Sequence, residues 1–134
     1  MVYQRHIELW HLELNELIEA CENATEHDQA QILAKLGSLI ELAPAERAHF
    51  FAPRPKLESI QRMLACSAFV DAAISLVGSG SGFMFSKAPD GPALASVWTS
   101  DGTKEFHASG QTAAIAIVAA YATLVFAMSG VEMN

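Results

Sequence analysis

The chain has 134 residues, a net charge of −7 and a composition that is 51% apolar and 17% charged. That length fits one domain able to bury a core without disulfides or metal. The acidic balance excludes a general nucleic-acid binder, which would present a basic stripe. Seven of the fifteen acids lie in the first 28 residues, opposed there only by Arg5.

In chain order, Tyr3, Ile7, Trp10, Leu14, Leu17 and Cys21 recur at steps of four and three, which predicts a helix near 3–22 with one apolar seam. Leu9 and Leu12 widen that stripe, and Glu8, Glu13, Glu16, Glu19 and Glu22 occupy much of the rest. Arg5, Glu8 and Glu13 interrupt any signal-peptide core, so a cytoplasmic location is expected. A second helix near 28–42 starts at Asp28 as N-cap and turns Ile32, Leu33, Leu36, Leu39 and Ile40 inward. The short polar link between the two predicts a helical hairpin.

Pro44 suits the first turn of a brief helix through Glu46 and Ala48. Phe50 to Pro55 reads as an extended connector, because each proline disfavours helix in the residue before it. Leu57, Ile60, Leu64, Val70, Ile74 and Val77 predict a long helix near 56–77, with an offset at Ser67. The glycine-serine run 78–82 ends it. Strands are expected near 82–87, 93–100 and 104–109, joined at Asp90-Gly91 and Asp101-Gly102 into an antiparallel meander. Phe83, Phe85, Val97 and Phe106 are the expected inward side chains.

The last helix, near 111–128, is apolar on every side. The sixteen residues from Ala113 to Met128 carry no charge but fall short of the ~20 that span a bilayer, so a buried helix is expected and no membrane association. Taken together, residues 1–134 read as a single α+β domain, with a helical region over 1–50 and a helix-meander-helix core over 56–128. Cys21 and Cys66 both read as reduced core residues.

Asp71-Ala72-Ala73-Ile74-Ser75-Leu76-Val77, Gly82-Phe83-Met84-Phe85, Ala95-Ser96-Val97-Trp98 and Gly110-Gln111-Thr112-Ala113-Ala114-Ile115-Ala116-Ile117 together resemble the phage ABA sandwich domain family. Gly82-Phe83-Met84-Phe85 has phenylalanine where that family usually has tryptophan, and Ala113 replaces its proline. The resemblance implies an α-β-α layered fold and a phage or prophage origin. It carries over no activity and no site residues.

Chemistry-bearing residues are sparse. His6 and His11 are five apart, which misaligns them as helical metal ligands. The glycine run follows a helix and opens a strand, the reverse of a phosphate loop. Asp71, in an otherwise apolar helix, and His107, facing away from Phe106, are the two candidates for function. No catalytic set, cofactor or metal is expected.

The expected role is noncatalytic binding to another protein, such as a host defence or replication component. The alternative is an enzyme or small-ligand module using Asp71 and His107. A homodimer is also expected, with Tyr3, Ile7, Trp10, Leu14 and Leu17 as its candidate seam and the C-terminal helix as the second choice. In the competing arrangement the two helices bury each other within one chain.

Overall fold

A computed structural model describes residues 2–51 and 55–131, with side chains described at 6–49, 51 and 55–129. Eight regular elements follow one another: α1 (Val2–Glu22), α2 (Gln29–Glu41), α3 (Leu57–Ala65), α4 (Phe69–Val77), β1 (Gly82–Lys87), β2 (Ala93–Trp98), β3 (Glu105–Gly110) and α5 (Ala113–Val131). The chain is α+β. Its helical hairpin of α1 and α2 and its antiparallel meander in the order β1-β2-β3 both stand where the sequence predicts them.

Helix α5 is the centre of the molecule. Residues Ala114 to Ala122 are buried without a break. This is possible because β2 and β3 cover one side of the helix, while α1, α2 and α4 cover the others. A helix apolar all round must be enclosed, and here the enclosure comes from the same chain. Small alanines at 114, 116, 119, 120 and 122 let these neighbours approach closely. Gly110 has the same use at the entry to the helix, because a Cβ there would lie 2.8 Å from the Ala116 nitrogen and from Ile115 Cγ2.

The α1 seam is consumed in the same way. Ile7, Trp10, Leu14 and Leu17 are all buried, and α1 packs against α5 and α2. Trp10 Nε1–H donates to the Leu39 carbonyl at 2.8 Å, and its ring meets Phe51 edge-on at 6.2 Å. These four side chains therefore do not form a free interface seam, and the intramolecular arrangement accounts for their burial. The side chain of Tyr3 lies outside the described residues. Leu9 and Leu12 face solvent instead of widening the buried stripe.

Several local readings change. Thr25 caps a 3₁₀ turn over Glu26–Asp28 through a capping box, in which Asp28 Oδ2 accepts from the Thr25 backbone N–H at 2.8 Å. Asp28 thus spends its carboxylate on the turn and makes no side-chain cap to α2. The brief helix after Pro44 is a 3₁₀ stretch over Ala45–Phe51, so Phe50 and Phe51 belong to it and not to an extended connector. Residues 52–54 of that connector lie outside the described ones. The long helix 56–77 is two helices, broken where Ser67 takes φ 58°. Of the two cysteines, Cys21 is core and Cys66, at the end of α3, is exposed.

In the sheet, the register sets Phe83, Val97 and Phe106 side by side, with Phe85, Ala95 and Ala108 in the next row. That face packs on α5, and Val97 is fully buried. Phe85 lies on the same face but is 41% exposed, because α5 lies chiefly across β2 and β3. The opposite face carries Met84, Leu94 and His107 in the open. The order of layers is therefore helix on helix on sheet among the described residues. The N-terminal hairpin packs behind α5, which itself packs on the sheet, and the opposite sheet face is left open among the described residues. No described helix is long and apolar enough to cross a membrane.

Candidate functional site

The uncovered sheet face is a grid of three rows. Gly82, Trp98 and Glu105 form the first, Met84, Ser96 and His107 the second, and Ser86, Leu94 and Ser109 the third. Strand alternation places these residues together: Ala93, Ala95 and Val97 point at α5, so Leu94, Ser96 and Trp98 must point away. Met84 is 62% exposed and Leu94 57% exposed.

Trp98 is half-buried because its indole lies across Gly82. A Cβ at that position would overlap the Trp98 ring at Nε1, so only glycine leaves room for the ring where it lies. The indole therefore lies down on the sheet and does not stand out from it. With Met84 and Leu94 it makes a low apolar surface of the kind that protein interfaces favour in Trp and Met.

His107 stands at the polar side of this surface. Ser96 Oγ lies 2.8 Å from His107 Nδ1, and Glu105 Oε2 lies 3.1 Å from His107 Nε2. A carboxylate only accepts, so Nε2 carries the proton, and in the neutral ring Nδ1 accepts from the Ser96 hydroxyl. The order Ser–His–Glu is that of a nucleophile, base and orienting acid. Its setting differs from a hydrolytic site. The three side chains lie on an open sheet face, whose central backbone N–H groups serve the sheet and supply no oxyanion donor. The two contacts hold the imidazole over the sheet between Ser96 and Glu105.

The structure does not bring Asp71 and His107 together. Asp71 is exposed in the first turn of α4. That helix packs on α2, α3 and α5, behind the covered face of the sheet, whereas His107 faces the other way. His6 is exposed, and His11 is used structurally. Its ring stacks on Phe126 with centroids 4.0 Å apart, and its Nε2–H donates to the Phe126 carbonyl at 3.1 Å.

A cavity of about 350 Å³ opens at the end of the sheet, between the glycine-serine run, the β2–β3 turn and α5. Tyr121, Leu124 and Met128 line its apolar side, and Ser81, Thr99, Asp101 and Thr103 its polar side. Burial pushes the Tyr121 phenol pKa up. Asp101 is held down to about 2, first by the Thr99 hydroxyl and then by the Thr103 backbone N–H and hydroxyl. All three donate to Oδ1, at 2.6, 3.0 and 2.8 Å. The carboxylate thereby ties the β2–β3 turn together. Among the described residues no cluster of three or more His, Cys, Asp or Glu is arranged to hold a metal ion.

Sequence reasoning singled out His107 but not Ser96, Glu105, Met84, Leu94 or Trp98. The signal was present in part: once Phe106 is set inward, Glu105, His107 and Ser109 must share the outer face. Comparison with family models, curated proteins and solved structures gave no match.

Proposed function

We propose that this chain is a noncatalytic protein that acts by binding another protein through the open face of its sheet. The observation that carries the reading is the one-sided packing of the meander. One face is sealed by α5, and the other presents Met84, Leu94 and the flattened Trp98 beside a fixed His107. An origin in a phage or prophage, a cytoplasmic site of action and a host defence or replication component as target are parts of the same proposal. They are supported by the resemblance of residues 71–77, 82–85, 95–98 and 110–117 to the phage ABA sandwich family.

The test compares capture by three versions of the immobilised chain from host lysate. Wild type and Leu9→Lys/Leu12→Lys, altered on the exposed side of α1, should retain one stoichiometric partner. Met84→Lys/Leu94→Lys should lose it while melting within a few degrees of wild type, since both side chains are exposed. Equal capture by all three removes the sheet face from the account.

The Ser96–His107–Glu105 chain favours a second reading, a small-ligand module or enzyme built on His107. It would use Ser96 and Glu105 and not Asp71. A ligand-dependent rise in melting temperature that His107→Ala abolishes, with no captured partner, would support this reading over the first.

A further inference from the structure

Strand β1 is an unguarded edge. It lies outermost in the sheet, and among the described residues its outward row of main-chain N–H and C=O groups meets no other element. Natural edge strands are usually blunted by charge, proline, a bulge or a covering segment. The other edge strand, β3, carries Glu105 and His107, and the C-terminal turn of α1 approaches it. In β1 the run Gly82-Phe83-Met84-Phe85-Ser86 has no charge and no proline. Its one charge, Lys87, turns back on the β1–β2 connection, where Nζ donates to the Ala88 and Gly91 carbonyls at 3.2 and 2.9 Å.

We infer that β1 pairs antiparallel with β1 of a second copy of this chain, joining two meanders into one six-stranded sheet. Two features of the molecule select a second copy as the occupant. The first is charge. A chain at −7 repels its own kind wherever its acids face each other, yet no carboxylate lies between Asp71 and Asp90. The β1 edge is thus a place where two copies meet without that penalty.

The second is register. The two longest pairings that keep the sheet faces continuous place either Met84 or Phe85 on the two-fold axis. With Phe85 on the axis, Phe83 would oppose Lys87 of the second copy. With Met84 on the axis, Phe83 opposes Phe85 of the second copy and the reverse, so each phenylalanine gains an aromatic cross-strand partner. The 41% exposed Phe85, which α5 leaves uncovered, is then enclosed. Met84 meets its own copy on the outer face.

Five paired residues from each copy and four phenylalanines make a small interface, so the association should be weak and concentration-dependent, with Kd on the order of micromolar to tens of micromolar. Sedimentation equilibrium on the full chain from about 5 to about 500 µM tests it. The expected result is a rise from the monomer mass to twice that mass. Met84→Lys, which sets two lysines face to face on the axis, and Phe85→Lys should each raise Kd about tenfold or more. Leu94→Lys, two residues from Ser96 on the central strand, should leave Kd unchanged even where it abolishes capture of a heterologous partner. That contrast separates failure of the dimer from failure of the binding face. Amide exchange in residues 82–87 should slow as concentration rises. A monomer at the highest concentration, or a dimer indifferent to both β1 substitutions, overturns the inference.

Discussion

Helix α5 and strand β1 are both written in mainly apolar residues, yet they end in opposite surroundings. In α5 the residues from Ala114 to Ala122 are all buried, while in β1 burial fades from half-buried Phe83 to exposed Met84 and Phe85. The difference is topological. The helix lies at the centre and receives cover from the sheet and three other helices. The strand sits at the sheet edge, beyond the reach of most of α5. Apolar sequence states a demand for cover, and connectivity decides whether the same chain meets it.

The comparison can be broken most forcefully in α5. Val118→Asp would bury a carboxylate at a position that is 1% exposed, with no cation beside it on that helix. A loss of more than about 4 kcal/mol is expected, enough to prevent folding of a small domain. Circular dichroism and yield of soluble protein report it. Met84→Asp, in β1, should instead fold normally.

Helix α1 allows the same contrast within one element. Leu14 is 1% exposed and Leu12 is 54% exposed. Leu14→Ala should cost about 2–5 kcal/mol in urea unfolding, and Leu12→Ala no more than about 0.5 kcal/mol. Equal effects would mean that the seam is not core.

Much of the fold was legible because the two periodicities are clean. The steps of four and three in α1 and the alternation in β2 identify helix, strand and inward face from residue types alone. The seam's destination was not legible, because a stripe of Ile7, Trp10, Leu14 and Leu17 looks the same whether α5 or a second chain covers it. The split at Ser67 was legible only as an offset, since Ser67 gives no glycine signal for its positive φ. The candidate face was missed where it depends on pairing. Ser96 and His107 are eleven residues apart, and only the β2–β3 register makes them neighbours.

The core can also be probed by pH. Burial raises the Cys21 thiol from 9.0 to about 12. Between those values the unfolded chain loses a proton that the folded chain keeps, so stability should fall as pH rises from about 9 to about 12. The buried Tyr121 phenol acts in the same direction at the alkaline end. Cys21→Ala should flatten the first part of that decline in urea titrations, whatever its own cost at neutral pH. A thiol reagent at pH 7 should label Cys66 alone in the native chain, because Cys66 is exposed and Cys21 is not.

A small stabilising effect is expected at the α3–α4 joint. Ser67 holds φ 58° with a Cβ that disfavours it. Ser67→Gly should relieve that strain and raise stability by up to about 1 kcal/mol, read as an upward shift in melting temperature.

Side-chain oxidation footprinting at low micromolar concentration tests the central claim, that the open sheet face is the contact surface and the α1 seam is interior. In the free chain Met84 should oxidise fast and Trp98 measurably, while Trp10, 3% exposed, should stay intact. In complex with the captured partner Met84 and Trp98 should both become protected, with Trp10 unchanged. Oxidation of Trp10 as fast as Trp98 in the free chain, or a complex that leaves Met84 and Trp98 as reactive as before, would contradict it.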